Sequence, residues 1–532
     1  MIVRSPIKPN QEITVGNNDL IVKDNSKKEG SPFENTKSEK SIQQKSKIDP
    51  VQIILAVSIF SFLVISVYVL LGKLSLIAMG VAGILTIYQF VESARKSNSS
   101  SSKKPRPSVF LIFLVCSPFV VASLVIFEGI KIMEEEPFAI ILLWALMFTF
   151  WSTFLFVPMA IANKHREGIL PNLKSFPKVS IIIPAYNEEK VIQQTIEGLL
   201  ETKYPKKEII VVDDGSVDNT LSISMQYKDK IKVLHKENGG KASALNYGLQ
   251  YSTGDIVAIV DADTVVGRHS INEIVKGFES HEGVAAVAGN IKVRNRLNWI
   301  TKCQALEYIT GIQIIRRAFD TYGSITIVPG ALGAFKKTFL KESGAYTKDT
   351  IVEDFDQTIK ILKAGLTTQG SSEAVAYTEA PSTLHDFVSQ RKRWYRGNIQ
   401  VVQRHSNALV NPRFGHLHKL SFPYMVIGMF ITPIIGFSAI ASAIIATILG
   451  DWLLVAEFIS IFTILHILTT ALAIRIDDED PKLLWHAVFL VFGYKQIMDV
   501  LLIRAILEQI RKKEAIWTTA GRIGSKQSIK MQ

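Results

Sequence analysis

The chain has 532 residues, of which 48% are apolar and 20% are charged, and its mean hydropathy is +0.22. This composition excludes a mostly disordered chain and a collagen-like chain, and a positive hydropathy at this length argues against a purely soluble enzyme. The formal net charge is +12, which suits either nucleic-acid binding or the basic cytoplasmic loops of a membrane protein. With only two cysteines, Cys116 and Cys303, a disulfide framework or a cysteine-based zinc site is excluded.

The first 162 residues predict a polar tail followed by four membrane helices. Residues 1–50 are rich in Lys, Glu, Ser, Asn and Gln and show no apolar periodicity, so we expect a disordered cytoplasmic tail. Because the chain has no early apolar stretch, we expect no cleavable signal peptide. Apolar runs of spanning length follow at about 51–72, 75–92, 109–130 and 137–162.

Basic residues set the predicted orientation of these helices. The connector at 93–108 and the residues just after 162 are basic, whereas the loop at 131–136 contains three glutamates. The positive-inside rule therefore places the connector and the chain from 163 onward in the cytoplasm. We expect a multi-pass protein of the plasma membrane with a cytoplasmic domain. Since the basic excess lies beside the spans, the lipid bilayer explains it and no nucleic-acid partner is needed.

Residues 177–382 have the composition of a soluble α/β domain. Short β-branched runs, predicted to be strands, alternate with helical patterns, which implies crossover units and a largely parallel sheet. The predicted strands are 179–185, 208–214, 255–263 and 283–290. The predicted helices lie near 188–200, 218–228, 241–251 and 300–319.

The last part of the chain returns to the membrane. We expect interfacial helices at 383–419, then two to three spans within 420–510, and finally a basic tail at 511–532. The apolar segments lie at about 420–449, 452–474 and 484–505. Three full spans would place the basic tail outside, against the charge rule. We therefore expect the last segment, which contains Asp499, Arg504 and Glu508, to lie in the interface.

Polar motifs follow the predicted strands at the edge of the sheet where open α/β folds bind ligands. They are Pro184–Glu188, Asp213–Ser216 and Asp261–Asp263, and a further motif, Asn238–Lys241, leads into the helix predicted near 241. A lone Asp-x-Asp is most often solvated surface. Three successive predicted strands that all end in acidic or polar residues are much harder to explain by chance. Asp261 and Asp263 would share one side of an extended segment, where two carboxylates can hold Mg²⁺ or Mn²⁺.

Lys241 follows two glycines, which suits contact with a diphosphate, although an ordinary exposed helix lysine fits equally well. The chain has no G-x-x-x-x-G-K-[ST] loop, and no G-x-G-x-x-G follows a strand. Phosphoryl transfer on a P-loop and dinucleotide redox chemistry therefore lose support.

Two later motifs have both a chemical and a structural interpretation. Glu353 and Asp354 begin a helical pattern, where they either complement the helix dipole or supply a general base. The segment from Gln390 to Trp394 combines cations for a leaving diphosphate with an aromatic platform for a sugar. It also fits a basic amphipathic stretch on the membrane surface.

Taken in order, these motifs resemble the processive family 2 glycosyltransferases, which include cellulose, chitin, hyaluronan and poly-N-acetylglucosamine synthases. The resemblance covers about 177–410. The motifs that carry it are PAYNE (184–188), DDGS (213–216), GGKA (239–242), DAD (261–263), PGALGAF (329–335), VED (352–354) and QRKRW (390–394). It implies an α/β GT-A-type nucleotide-sugar-binding domain inserted between N-terminal and C-terminal transmembrane α-helices.

The resemblance also implies a role for each matching residue. The residues expected to bind the donor nucleotide are Pro184, Tyr186, Glu188, Asp213, Asp214, Lys241 and Asp261. Asp261 and Asp263 would hold the Mg²⁺ or Mn²⁺, and Asp354, beside Glu353, would be the catalytic base. The residues expected at the acceptor and diphosphate are Gly330, Gln390, Arg391, Arg393 and Trp394.

The function implied is an inverting β-glycosyltransferase that polymerises a UDP-sugar into an extracellular polysaccharide and translocates it. UDP-N-acetylglucosamine is favoured, because no cyclic-dinucleotide module follows the last span. Its partners would be the donor, the growing polysaccharide and accessory export subunits. A non-processive transferase with a lipid acceptor is the alternative, although such enzymes usually lack the Gln-x-x-Arg-Trp element. The carboxylate set disfavours a third interpretation, a non-enzymatic transporter or receptor.

Overall fold

The structure is a computed structural model that describes residues 49–95, 108, 139–167, 173 and 175–511. The predicted tail before residue 49, the predicted span at 109–130, the loop at 131–136 and the basic tail after Arg511 lie outside the described residues.

An eight-stranded mixed sheet forms the centre of the α/β domain, in the order β3-β2-β1-β4-β7-β6-β8-β5. The strands are β1 Val179–Ala185, β2 Lys207–Asp213, β3 Lys232–His235, β4 Ile256–Ile259, β5 Thr264–Val266, β6 Val284–Val293, β7 Gly333–Lys336 and β8 Thr367–Thr378. Strands β1 to β4 pair in parallel, and so do β6 and β8. The other pairs, β4 with β7, β6 with β7, and β5 with β8, are antiparallel.

Helices cover both faces of this sheet, which explains why β1 is an almost unbroken apolar run. Ile181 and Ile183 pack into one core cluster, whereas Ile182 packs into another, because successive side chains point to opposite faces. The helices of the domain up to the Gln-x-x-Arg-Trp element are Ile192–Glu201, Thr220–Met225, Lys241–Tyr251, Ser270–Glu279, Trp299–Glu307, Ile314–Asp320, Lys337–Glu342, Glu353–Lys363 and Leu384–Arg404.

The predicted α/β fold is confirmed, with three local corrections. The sheet is mixed rather than largely parallel, since β7 runs against both of its neighbours. The strand predicted at 255–263 ends at Ile259, because the Thr264 N–H donates to the Asp261 carbonyl across a turn (3.0 Å). The helix predicted at 300–319 is interrupted by a π-helical stretch, Tyr308–Gln313.

The N-terminal apolar helices differ from the prediction in one respect. A single helix, Pro50–Arg95, covers the two segments that were predicted as separate spans at 51–72 and 75–92. The only helix breaker between them is Gly72, and one interior glycine costs only about 1 kcal/mol relative to alanine. The segment predicted at 137–162 corresponds to the helix Ala139–Glu167.

Helices of short and long length follow the α/β domain. Beyond Arg404 they are Ser406–Leu409, Pro412–Phe414, Leu417–Ser421, Phe422–Val426, Ile427–Ile431, Thr432–Leu449, Trp452–Ile476, Pro481–His486, Ala487–Phe489, Leu490–Tyr494 and Lys495–Ile510. By length and composition, four segments among the described residues could cross a membrane: Pro50–Val69, Leu417–Leu449, Trp452–Ile476 and Pro481–Ile510. The last is interrupted at Phe492 and Gly493, whose backbone angles are not helical.

Candidate active site

The loops that follow β1 and β2 are joined by hydrogen bonds at the C-terminal edge of the sheet. The Asp214 N–H donates to the Ala185 carbonyl (2.9 Å), and the Asn187 N–H donates to the Ser216 hydroxyl (3.0 Å). Asn187 has a φ of 56°, a left-handed conformation that asparagine tolerates better than most residues. Pro184, Tyr186 and Glu188 therefore lie on one rigid edge, each of them partly exposed.

Asp213 and Asp214 are buried beneath that edge. The Asp213 carboxylate lies 2.7 Å from Nδ1 of His235. The Asp214 carboxylate accepts hydrogen bonds from the N–H groups of Gly239 (3.1 Å) and Gly240 (2.8 Å). The same carboxylate pairs with Lys236 at 2.6 Å. Both residues are buried, so in this arrangement Asp214 shapes the glycine loop that leads to Lys241.

Lys241 brings three motifs together. Its Nζ lies 2.7 Å from the Asp261 carboxylate and 2.9 Å from the Glu353 carboxylate. Gly330 lies against this pair, since a Cβ at position 330 would be 2.7 Å from the Lys241 Nζ. Burial disfavours the ammonium, but the neighbouring carboxylates, Asp261 first, raise the pKa of Lys241 above its usual value. Lys241 is therefore a buried, charged centre and not an exposed helix lysine.

Asp354 lies at the start of its helix and remains partly exposed. Its carboxylate accepts hydrogen bonds from the N–H of Gly330 (3.1 Å) and the N–H of Phe355 (2.8 Å). Burial raises the pKa of Asp354 to about 6, and the charge of Glu353 adds to this rise, while Lys241 opposes it. A carboxyl group with a pKa near 6 is well matched to accept a proton at neutral pH.

Asp261 and Asp263 differ in exposure. About a third of the Asp261 side chain is exposed (34%), whereas Asp263 is buried and accepts hydrogen bonds from the hydroxyls of Thr264 (3.1 Å) and Thr378 (3.3 Å). Across the described ranges, no group of three or more His, Cys, Asp and Glu side chains is arranged to hold a metal. Two carboxylates still fit Mg²⁺ or Mn²⁺, which commonly takes one or two carboxylates plus substrate phosphates.

The Gln-x-x-Arg-Trp element lies on the helix Leu384–Arg404. Arg391, expected at the diphosphate, is instead 2% exposed and pairs with the Glu307 carboxylate at 2.6 Å. Its guanidinium also lies 4.5 Å from the centre of the Trp394 ring. Gln390 is buried, and its Oε1 has no hydrogen-bond partner within the described part of the chain. Arg393 and Trp394 are partly exposed.

Residues outside the motifs complete the cleft. The Tyr494 hydroxyl donates to the Glu307 carboxylate at 2.5 Å and accepts a hydrogen bond from Arg391 at 3.4 Å. The segment Leu490–Tyr494 therefore contacts the Gln-x-x-Arg-Trp helix through Arg391. Tyr308 follows Glu307 in the chain and is buried at the start of the π-helical stretch Tyr308–Gln313. Burial raises the pKa of Tyr308, and the charges of Arg391, Glu307, Asp263 and Asp261 all act on it. No sequence motif marks these residues, because their roles arise only from long-range packing.

Comparison with known proteins identifies the family that the domain resembles. Residues 180–344 match Glycosyl transferase family 2. The poly-beta-1,6-N-acetyl-D-glucosamine synthase of Staphylococcus aureus (strain COL) is 31% identical over 258 residues, which are 48% of this chain and 63% of that protein. The enzyme of the same name from Staphylococcus epidermidis is 32% identical over 247 residues, which are 46% of this chain and 60% of that protein. The matched region thus spans less than two thirds of these relatives.

Two solved structures are also similar. The mannosyltransferase PcManGT from Pyrobaculum calidifontis, in complex with GDP-Man and Mn²⁺, has a TM-score of 0.48 and 22% identity, covering 68% of this chain and 100% of that chain. S. aureus TarS has a TM-score of 0.31 and 20% identity, covering 44% of this chain and 42% of that chain. The family match spans β1 to β7 and the loops that hold Lys241, Asp261 and Gly330. The chain therefore carries a glycosyl transferase family 2 domain.

Proposed function

We propose that this protein is a membrane-embedded, inverting and processive β-glycosyltransferase that polymerises a sugar from a UDP-sugar, with UDP-N-acetylglucosamine favoured. The observation that carries the proposal is the convergence of Lys241, Asp261, Gly330 and Asp354 at the C-terminal edge of the sheet. This edge places a lysine that can contact a diphosphate beside a carboxylate of raised pKa. The similarity to poly-beta-1,6-N-acetyl-D-glucosamine synthases supports the choice of donor.

On the donor side, the joined loops after β1 and β2 would bind the nucleotide, with Pro184, Tyr186 and Glu188 along the edge. Lys241 would contact the diphosphate and stabilise the negative charge that develops on it. Asp261 and Asp263 would hold the Mg²⁺ or Mn²⁺, which would supply additional positive charge at the diphosphate. Arg393 would add a second cation from the Gln-x-x-Arg-Trp helix.

On the acceptor side, Asp354 would accept the proton of the attacking hydroxyl. The hydroxyl oxygen then forms a bond to the anomeric carbon from the face opposite the diphosphate, and the bond to the diphosphate breaks with inversion. The Gly330 N–H fixes the Asp354 carboxylate for this role. Trp394 would stack on the acceptor sugar, since its ring is held from below by Arg391.

We further propose that the ends of the apolar helices lie on one, cytoplasmic side with the catalytic domain. Asp49, just before the first helix, pairs with Arg475 at the end of the helix Trp452–Ile476. The end of the helix Ala139–Glu167 pairs with the catalytic domain through Arg166 and Asp320 (2.7 Å). Asp477 pairs with Arg317 of the same domain (2.7 Å). A cytoplasmic catalytic domain in the plasma membrane fits this arrangement.

The last segment, Lys495–Ile510, would lie in the interface and not cross the membrane. Glu508 pairs with Lys392 of the Gln-x-x-Arg-Trp helix at 3.0 Å, and the Tyr395 hydroxyl donates to the Met498 sulfur at 3.4 Å. A helix packed along the catalytic domain in this way leaves two C-terminal spans, Leu417–Leu449 and Trp452–Ile476. The basic tail would then remain cytoplasmic, as the charge rule requires.

The spans of both flanks would line the path by which the growing polysaccharide leaves, and accessory export subunits would act beyond it. A lipid acceptor with a single transfer remains the second candidate. The Gln-x-x-Arg-Trp helix and its aromatic platform favour the polymer.

Product size separates these two functions. Purified full-length protein in lipid is incubated with Mg²⁺ and radiolabelled UDP-N-acetylglucosamine, UDP-glucose or UDP-glucuronate in parallel. We expect a radiolabelled product of high molecular mass from UDP-N-acetylglucosamine and from neither of the other two donors. A label found only in small, organic-extractable product would support the lipid acceptor, and the absence of UDP release from any donor would contradict the proposed function.

A further inference from the structure

The ammonium group of Lys241 joins three segments of the site through ion pairs. Lys241 comes from the end of the glycine loop, Asp261 from the turn after β4, and Glu353 from the start of the helix that also carries the proposed base. Nζ of Lys241 contacts both carboxylates within 2.9 Å. Side-chain exposures are 18% for Lys241 and 6% for Glu353, so water screens this contact poorly.

The same ammonium competes with any metal for Asp261. Asp261 is the more exposed of the two carboxylates that fit Mg²⁺ or Mn²⁺, and one of its oxygens already contacts Lys241. A divalent ion that binds this oxygen would separate the carboxylate from the lysine. The ammonium would then keep only Glu353 as an anionic partner, and losing one partner of a buried ion pair is costly. The diphosphate of a nucleotide supplies such a partner.

We propose that Lys241 is the resident counter-ion of the metal site, which keeps a divalent ion from binding tightly until a nucleoside diphosphate arrives. This proposal rests on the proposed UDP-sugar function. In the empty site Lys241 pairs with both Asp261 and Glu353. When the diphosphate enters, Lys241 turns to it and Asp261 becomes available to the ion. The metal and the donor would then bind together.

The test measures Mn²⁺ binding without nucleotide, by electron paramagnetic resonance of free Mn²⁺ with the purified full-length protein. In Lys241→Met we expect affinity for Mn²⁺ at least tenfold higher than in the wild type. Lys241→Arg keeps the cation and should stay near the wild type. Lys236→Met removes an equal charge from the neighbouring loop, where it contacts Asp214 and not Asp261, so its affinity should change less than threefold.

A second substitution locates the added affinity. The double variant Lys241→Met with Asp261→Asn should lose the gain, because the new affinity depends on the released carboxylate. An unchanged or weaker Mn²⁺ affinity in Lys241→Met, in a protein whose thermal unfolding midpoint matches the wild type, would overturn the counter-ion role. An equal gain of Mn²⁺ affinity in Lys236→Met would show that any loss of positive charge near the site has this effect. That result would also overturn the counter-ion role of Lys241.

The outcome is distinguishable from failure of the proposed function. UDP release by the wild type with Mg²⁺ tests that function without reference to Lys241. Normal UDP release together with no gain of Mn²⁺ affinity in Lys241→Met would overturn only the counter-ion role. Failure of the wild type to bind UDP in the presence of Mn²⁺ would overturn both.

Discussion

The neighbouring carboxylates of Glu353 and Asp354, at the start of one helix, have different surroundings. Glu353 is 5% exposed and pairs with Lys241. Asp354 is partly exposed, has a raised pKa and receives the Gly330 N–H. A base must reach its proton donor and must bind protons near working pH. These differences assign the base role to Asp354 and leave Glu353 to neutralise Lys241.

Replacement of the proposed base should separate catalysis from binding. In Asp354→Asn we expect UDP-sugar turnover to fall by about 10²–10⁴-fold, the usual contribution of a positioned general base, while UDP affinity stays within a few-fold of the wild type. Turnover is followed by UDP release and affinity by calorimetry. Asp349→Asn is the matched control, because Asp349 is 65% exposed and pairs with Arg404. Retained turnover in Asp354→Asn would remove this residue from the base role.

The pH dependence of turnover follows from the same carboxyl group. Because the pKa of Asp354 is about 6, the residue is protonated below this pH and cannot accept the acceptor's proton. Turnover should therefore rise between pH 5 and pH 7 with a midpoint near 6. Glu353→Gln removes a negative neighbour that raises this pKa, so its midpoint should shift to lower pH. A midpoint in Glu353→Gln that is unchanged or higher would contradict this electrostatic account.

At the scale of elements, Arg391 joins three of them. It lies on the Gln-x-x-Arg-Trp helix, pairs with Glu307 of the helix Trp299–Glu307, and lies 3.4 Å from the hydroxyl of Tyr494 beyond the interruption at Gly493. The helix with the aromatic platform is thus tied to the C-terminal membrane segment. A change in that segment would move Trp394 through Arg391, because the guanidinium lies under its ring.

Loss of this tie should destabilise the whole protein. Removing one partner of a buried ion pair typically costs about 3–5 kcal/mol, so we expect Arg391→Met to lower the thermal unfolding midpoint clearly. Lys392→Met is the control on the same helix. The Lys392 side chain is 39% exposed where it pairs with Glu508, and such pairs contribute about 0–1 kcal/mol. Equal midpoints for the two variants would show that Arg391 does not join these elements.

The sequence predicted local elements better than the contacts between them. Strand β1 and the helix Lys241–Tyr251 have the predicted bounds, because apolar runs and a glycine-rich start are local signals. Residues 261–263 lie in a turn although the predicted strand included them, since they directly follow an apolar run. The pairing of Arg391 with Glu307 spans 84 positions, and no local pattern encodes it. Predicted roles for Pro184, Tyr186, Gln390 and Arg393 remain predictions.

At the scale of the whole molecule, the positive charge of the C-terminal tail and the packing of the last helix favour the same membrane topology. Three C-terminal spans would carry the basic tail outside. The structure interrupts the third apolar segment at Phe492 and Gly493 and packs its second half against the Gln-x-x-Arg-Trp helix through Glu508 and Met498. That packing favours a tail on the catalytic side.

Cysteine labelling tests this topology. In a Cys116→Ser background, Ser525→Cys should resist a membrane-impermeant maleimide in intact cells and react after lysis, because the tail would be cytoplasmic. Asp451→Cys, in the turn between the helices Thr432–Leu449 and Trp452–Ile476, should react in intact cells. Cys303 is fully buried and contributes little background. If Ser525→Cys reacted in intact cells as readily as Asp451→Cys, the last segment would cross the membrane, and its contacts with Lys392 and Tyr395 could not exist in the assembled protein.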